Sequence, residues 1–334
     1  MPSILRRAFK QRPKPSREFP PATDVDIEAC YRFFLRRAPE PAGLAHWRTL
    51  IRAQRIDVYR LISEFLNSEE FWLLCHNRHR PWPIKLDGFT IYVRLDDTAV
   101  GAYIANAKTY EPHVTETLLP LLRPGIVFLD IGANVGYYAL LAASRIGSAG
   151  KVLAFEPNPD NCEMLTCSIR ENGFRNIALC PYAVADKEQE LRIYPDKTNS
   201  TSLVVGDQYR AADSSPPAHI TKAVALDNFL KSCERIDIVK IDIDGGEPLA
   251  LRGMQKLIQN HRPILFVEFC PELIRTVSQV SPESFLDQLS EFGYDLCVLG
   301  SSGEGSSNAL CKFEILERFV RCKSTHLDLV AYPR

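Results

Sequence analysis

No stretch of this chain approaches the ~20 consecutive apolar residues that a membrane-spanning helix needs, so no membrane span is expected. The opening MPSILRRAFKQRPKPSREFPPA is basic but lacks the apolar core of a secretory signal. Its prolines stop any helix within about two turns. Residues 1–22 therefore read as a disordered basic lead, although Arg-rich, acid-poor starts also mark organellar transit peptides. The ten cysteines include no C-x-x-C pair and no zinc-like spacing, Cys162 and Cys167 being the closest two. They read as buried thiols of a reducing compartment, which points to the cytoplasm. Charge of one sign is absent as well: 40 Lys and Arg face 41 Asp and Glu, for a net charge of -1. With a pI near 6.7, no global field draws nucleic acid or an anionic membrane, and small or neutral partners are expected. There is no G-x-S-x-G nucleophile elbow and no internal repeat.

What is present divides into three. From Thr23 to about Arg80 apolar residues recur at helical spacing in DVDIEACYRFFLRR, GLAHWRTLIRA and VYRLISEFLNSEEFWLL, with Thr23 or Asp24 as the first cap. Trp47, Phe65 and Phe71 read as the core of this module. RHRPWPIK, rich in breakers, reads as the linker. The remainder, 84–334, starts with GFTIYVRLDD and AVGAYIA, which alternate like paired strands, and a helix over 112–122. Strands VFLDI, KVLAFEP, IALCPYAVAD, DIVKIDID, ILFVEF and YDLCVL then alternate with helices over 135–145, 160–171, 247–259 and 282–292. The fold class this predicts is α/β, a doubly wound and mostly parallel sheet, with HLDLVAYP as an antiparallel last strand. A small all-helical module precedes it.

FLDIGANVGYYALLA, residues 128–142, joins a strand to a helix through a small-residue turn. A dinucleotide fingerprint wants glycine at i, i+2 and i+5, and here those positions hold Gly132, Asn134 and Tyr137. The alternative spacing i, i+2, i+4 behind an acid fits better: Asp130, Gly132, Asn134, Gly136. That is the D/E-x-G-x-G-x-G loop of enzymes that use S-adenosylmethionine, with asparagine in the middle glycine slot. Asparagine tolerates the left-handed conformation better than most residues. A carboxylate at Asp130 would repel a pyrophosphate and suit the ammonium and sulfonium of S-adenosyl-L-methionine. Glu156, closing VLAFEP, can accept both ribose hydroxyls.

Asp130, Glu156, Asp186, Asp242 and Glu268 fall at or just past the ends of five successive predicted strands, where open α/β sheets bind ligands. In IVKIDIDGGE an extended strand would set Lys240, Asp242 and Asp244 on one face, with Glu247 at the following helix start. Three charges on one strand face suggest a site, because burying them without partners is costly. His76 and His79 lack further ligands and read as a surface pair. His113 reads either as a general base or as a surface histidine at a helix start.

Taken together, YEPHVTETLLPLLRPGIVFLDIGANVGYYALLAA, VLAFEPNP, AVAD and VALDNFL...IDIVKIDIDGGE resemble the FkbM family of methyltransferases, from about Gly88 to the end of the chain. The resemblance implies a class I methyltransferase (Rossmann-like) fold and O-methylation of a hydroxyl on a glycan, glycolipid or natural product. It implies S-adenosyl-L-methionine held by Glu111, Asp130, Gly132, Asn134, Gly136, Tyr137, Glu156, Asp186 and Asp242. Catalytic roles fall to Asp242, as acceptor-orienting group and base, with Lys240 and Glu247, and no metal is called for. One departure stands out: where the family reads K-I-D-x-E-G-x-E, this chain has Asp244, whose reach is shorter by about 1.5 Å. The competing readings take Asp242-Ile243-Asp244 as the D-x-D site of a metal-dependent glycosyltransferase, or the whole chain as a non-catalytic scaffold. The segment YRFFLRRAPEPAGLAHW with ISEFLNSEEF resembles a DUF4214 module, which reads as a docking element for a protein partner or for the acceptor.

Overall fold

A computed structural model describes residues 20–35, 37–66, 68, 70, 81–195, 202–205, 219–300 and 308–334. The basic lead before residue 20, His76, His79, Phe71 and most of the polar stretch 196–222 lie outside the described residues. The chain divides into two units, Met1–His79 and Arg80–Arg334.

In the first unit, α1 (Asp24–Phe34) starts at Thr23, whose hydroxyl accepts from Asp26 N while the Asp26 carboxylate accepts from Thr23 N, a reciprocal capping box. α2 (Pro41–Gln54) has proline in its first turn, and α3 (Val58–Leu66) follows. Their apolar stripes meet around Ile27, Tyr31, Leu61 and Phe65. Trp47 stacks on Phe65 with ring centroids 5.0 Å apart, and Tyr31 meets the same ring edge-on at 5.1 Å.

The second unit opens with a hairpin of β1 (Trp82–Lys85) and β2 (Thr90–Val93). AVGAYIA is not its partner strand: it forms α4 (Gly101–Ala107). The Asp97 carboxylate accepts from Ala99 N and Val100 N and so closes the turn that leads into the helix, and Val100 and Ile104 are buried at i, i+4. A short unbroken apolar run does not by itself choose between helix and strand. After α5 (Pro112–Leu118) come β3 (Val127–Ile131), α6 (Tyr137–Ile146), β4 (Lys151–Phe155), α7 (Pro159–Asn172) and β5 (Ile177–Cys180). IALCPYAVAD is therefore two strands, because β6 (Ala183–Val184) leaves the main sheet. It joins β7 (Gln189–Pro195), β8 (Ser202–Val205) and β9 (His219–Val224) in a second sheet of order β6-β9-β7-β8.

Then follow α8 (Leu226–Phe229), β10 (Ile238–Ile241), α9 (Glu247–Arg252), α10 (Gln255–His261) and β11 (Ile264–Phe269). The helix expected over 247–259 is thus broken at Gly253, where a Cβ would lie 2.0 Å from the Ala185 carbonyl oxygen. A π-helical turn (Ile274–Ser278), α11 (Pro282–Glu291), β12 (Tyr294–Leu299), α12 (Lys312–Cys322) and β13 (Leu327–Pro333) complete the chain. The main sheet runs β5-β4-β3-β10-β11-β13-β12, and β13 lies antiparallel to both neighbours. Helices cover both faces over two apolar cores, one around Phe128 and Leu140, the other around Leu129, Val239 and Phe285. This is the class I, Rossmann-like arrangement expected from the sequence. The expectation of uniformly buried cysteines does not hold: Cys30, Cys270 and Cys297 are buried, but Cys311 and Cys322 are exposed at the two ends of α12.

No helix among the described residues is long and apolar enough to cross a membrane. Phe285 is fully buried and stacks on Phe269 at 6.2 Å. Phe285→Ala should cost about 3–5 kcal/mol in urea unfolding, the usual cost of deleting a core aromatic ring.

Candidate active site

At the carboxyl edge of the main sheet, the chain leaves β3 through three left-handed positions: Gly132 (φ 84°), Asn134 (φ 50°) and Gly136 (φ 93°). The backbone amides of Gly132 and Ala133 both donate to the Phe155 carbonyl at 2.9 Å, tying the loop to the end of β4. Gly132 is fixed by space as well as by φ, since a Cβ there would stand 1.9 Å from the Asp242 carbonyl oxygen. Asn134 takes the middle glycine's conformation, with its side-chain oxygen accepting from Val135 N at 2.7 Å.

Asn134 N also donates to Glu156 Oε2 at 2.8 Å, and Asn158 N donates to Oε1 at 2.8 Å. Glu156 therefore closes the loop as well as facing the cleft. Burial pushes its carboxyl up to about 7, and the backbone donors of Asn158 and Asn134 pull the other way.

The next strand brings in a cation. Lys240 is buried, with Nζ 2.6 Å from Asp242 Oδ2 and 4.6 Å from the centre of the Tyr138 ring. Burial alone would lower its pKa, but Asp242, Glu111 and Asp130 overcome that and hold it well above the usual lysine range. Glu111 has φ 38° immediately before Pro112, and its carboxylate accepts from the Tyr138 hydroxyl at 2.8 Å. Burial raises the Glu111 carboxyl, with the nearby Lys240 ammonium opposing.

These groups line one cleft of about 810 Å³, within the usual range for a small-molecule site. Of the residues singled out in the sequence, Glu111, Gly132, Asn134, Tyr137, Glu156, Asp186, Lys240, Asp242, Asp244 and Glu268 line it together. Asp130, Gly136 and Glu247 lie behind its wall. Asp130 is 1% exposed beside Lys240 in the strand register, and burial pushes it up to about 7 against the pull of that ammonium. Glu247 is 0% exposed, and its Oε1 accepts from Ile243 N at 2.9 Å and Gly245 N at 3.3 Å. It clasps the turn after β10, and its other oxygen is buried without a partner.

The common strand face expected for Lys240, Asp242 and Asp244 does not form. β10 ends at Ile241, and Asp244 sits at φ 52° in a turn closed by Gly245. The D-x-D pair is thereby broken up, and Asp242 is already matched by an ammonium. Among the described residues no group of three or more His, Cys, Asp or Glu could hold a metal ion.

Sequence reasoning missed Tyr138, His326 and the π-helical turn, whose residues Thr276, Val277 and Ser278 line the cleft. His326 had a legible signal. An antiparallel last strand delivers its first residues, not its last, to the edge where parallel strands end, and Asp328 pairs with Glu268 in register. His113 belongs to this corner too: its Nε2 lies 2.6 Å from Asp328 Oδ2. That hydrogen bond, partly opposed by burial, raises the imidazole's pKa.

The loop tolerates S-adenosylmethionine's demands on charge and space: an acidic wall, a left-handed turn free of side-chain obstruction at Gly132, and a carboxylate at the second strand tip. Asn134→Gly should leave thermal stability and cofactor binding near wild type. Asn134→Val, forcing a β-branched residue to φ 50°, should cost about 1–2 kcal/mol. Thermal melts of both variants check this. A second expectation concerns pH: burial pushes the Glu247 carboxyl from 4.5 up to about 8. Its stabilising contribution is full below 4.5 and is lost as pH rises through about 8, so wild-type stability should decline across that window. Glu247→Gln should flatten the decline in denaturant unfolding measured across the same window.

Residues 130–296, half of the 334-residue chain, match the family model described as the Methyltransferase FkbM domain. The match begins at Asp130, so it does not bear on the helical unit over 23–80. A curated relative, the hexuronic acid methyltransferase AglP of Haloferax volcanii, is 27% identical over 157 residues, 45% of this chain and 59% of that protein. A protein-L-isoaspartate O-methyltransferase of Methanothrix thermoacetophila is 30% identical over 70 residues, 20% of this chain and 33% of its own length. The chain thus spans less than two thirds of either relative. Among solved structures, a methyltransferase FkbM from Methylobacillus flagellatus is similar with a TM-score of 0.42 at 12% identity, over 88% of this chain and 72% of that one. An O-methyltransferase from Bacillus cereus in complex with SAH has a TM-score of 0.41 at 13% identity, over 72% and 90%. With the loop, the sheet order and the family match in place, the chain belongs to the FkbM methyltransferases, whose methyl donor is S-adenosylmethionine.

Proposed function

We propose that this methyltransferase acts on a hydroxyl group of a glycan, glycolipid or natural product. The observation that carries the reading is the polar lining of the cleft. Beside the Gly132–Val135 loop, Glu156 and Asp186, it is lined by Asp244, Thr276, Gln279 and His326, together with Lys240 and Asp242. Donors and acceptors of this kind suit a hydroxyl-rich acceptor. The hexuronic acid acceptor in the Haloferax protein's name supports a sugar.

Bound S-adenosylmethionine supplies a methyl carbon already attached to a good leaving group, so the chain's own work is to place the acceptor oxygen in line and accept its proton. Glu156 is assigned to the ribose hydroxyls, using the lone pairs its two backbone donors leave over. Glu111 and Asp242 give the cleft the negative charge that favours a cationic donor, and Asp130 adds to it from behind the wall. Lys240 keeps those carboxylates from repelling one another and fixes the direction of Asp242. Glu247 holds the turn on which Asp244 is displayed, a positioning role. A metal-dependent glycosyltransferase is not favoured, because Lys240 Nζ already fills the place a cation would take at Asp242. The helical unit over 23–80 is assigned to docking a protein partner or presenting the acceptor.

Titration calorimetry tests the reading directly. S-adenosylhomocysteine should bind the wild-type chain. Gly132→Ala should weaken it by about tenfold or more while the far-UV spectrum stays native, since the added Cβ displaces the loop from Asp242. Absence of heat with both S-adenosylmethionine and S-adenosylhomocysteine would sink the proposal.

A further inference from the structure

Transfer to a hydroxyl needs a base, and Asp242, the acid named for that task, is engaged, as are two other carboxylates of the cleft. Asp242 holds the Lys240 ammonium at 2.6 Å, and Glu111 accepts from the Tyr138 hydroxyl at 2.8 Å. Tyr138 is itself raised well above the usual tyrosine range, by burial first and then by Glu111. Glu156 is committed to the loop amides. Among the described residues lining the cleft, one imidazole remains, His326.

From this geometry we infer that His326 is the general base of the methyl transfer, an assignment that rests on the hydroxyl-acceptor reading above. His326 immediately precedes β13, and its side chain keeps 39% of its exposure, so the ring is reachable from the cleft. Its two nitrogens see different surroundings. Nδ1 is 3.2 Å from Thr325 Oγ1, which can fix that side of the ring, with Glu268 Oε1 further off at 3.8 Å. Nε2 is 4.0 Å from Asp328 Oδ2, too far for a hydrogen bond. That oxygen is already taken by His113 Nε2 of α5 at 2.6 Å. His113 thus acts as a positioning residue: by holding Asp328, it leaves Nε2 of His326 available. Glu268 is pushed well above the usual carboxyl range, by burial and then by Asp242, Glu247, Asp244 and Asp328.

In the step assigned, a lone pair of the acceptor oxygen forms the new bond to the methyl carbon as the carbon–sulfur bond breaks. That bond's electron pair stays on sulfur, which becomes a neutral thioether. The hydroxyl proton passes to Nε2 of His326 and then to solvent through the open side of the ring. Charge balances: one sulfonium is lost and one imidazolium is formed.

The test uses full-length wild type, His326→Gln, His326→Ala and His113→Gln. Transfer of tritium from methyl-labelled S-adenosylmethionine is read on methyl hexopyranosides, methyl hexosaminides and methyl hexuronides, with S-adenosylhomocysteine calorimetry alongside. The His326 variants should bind S-adenosylhomocysteine within about twofold of wild type and lose about 10²–10⁴-fold in transfer, the usual contribution of a positioned base. They should also lose the acid limb of the pH–rate profile, and added imidazole should restore part of the rate to His326→Ala. His113→Gln should lower the rate less, and imidazole should not rescue it. Transfer in His326→Gln at the wild-type rate and with the wild-type profile would overturn the assignment. Equal loss of cofactor binding and transfer, without rescue, would overturn it in favour of a structural role. If the wild type binds S-adenosylhomocysteine but methylates none of these sugars, the acceptor reading falls and takes this base with it. If it does not bind, the methyltransferase reading itself fails.

Discussion

A single buried ammonium holds the site together. Lys240 lies on a strand between β3 and β11, opposite Asp130 in one register and Phe266 in the other, with Asp242 two residues on. Glu111 and Tyr138 reach it from the two helices above the sheet. Taking a charge of this kind out of water costs several kcal/mol, and only close, well-directed partners repay it. The arrangement is therefore mutual: without Lys240 the carboxylates of Asp130, Asp242 and Glu111 would repel one another in a medium that screens poorly, and without them the ammonium could not stay charged. The polarity of the cleft and the packing of its floor are one problem with one solution.

The same corner explains why certain glycines cannot be exchanged. Gly132 passes so close to the Asp242 carbonyl that the donor-side loop and the exit of β10 share a wall. Gly245, at φ 91°, presses on the Leu273 backbone, where a Cβ would come within 2.4 Å, so the turn bearing Asp244 is packed directly on the chain leading into the π-helical turn. Glu247 clasps that turn from below through two backbone amides. The turn bearing Asp244 and the loop after β3 are thus both packed closely on the exit of β10.

Much of this was legible in residue order, for reasons that are physical. The alternation of strand and helix patterns after residue 126, the loop from Asp130 to Gly136 and the carboxylate of Glu156 depend on local sequence, and the structure has them where periodicity and spacing put them. What was not legible depends on distant partners. AVGAYIA is helical after a turn closed by Asp97, which lies outside the segment, and IALCPYAVAD divides because Ala183 and Val184 pair with β9 and not with β4. IDID looks like one strand face, but the strand ends at Ile241 and Asp244 lies in the left-handed region. Period two predicts a face only for as long as the strand lasts.

The antiparallel β13 has a consequence for chemistry as well as for topology. In a sheet that is otherwise parallel between β5 and β11, the ligand edge receives residues only from strand ends and the loops after them. Each such contribution needs a crossover helix to bring the chain back. A strand that runs the other way supplies the residues at its start, and here those are His326, Leu327 and Asp328. Asp328 stands opposite Glu268 in the ladder, so its distance from the site is set by strand register and not by a loop. His113, on a helix 215 residues earlier in the chain, then closes the set through the same carboxylate. A rigid ladder places the acid, the acid engages one histidine, and the other histidine lines the cleft, its Nε2 without a hydrogen-bond partner among the described residues.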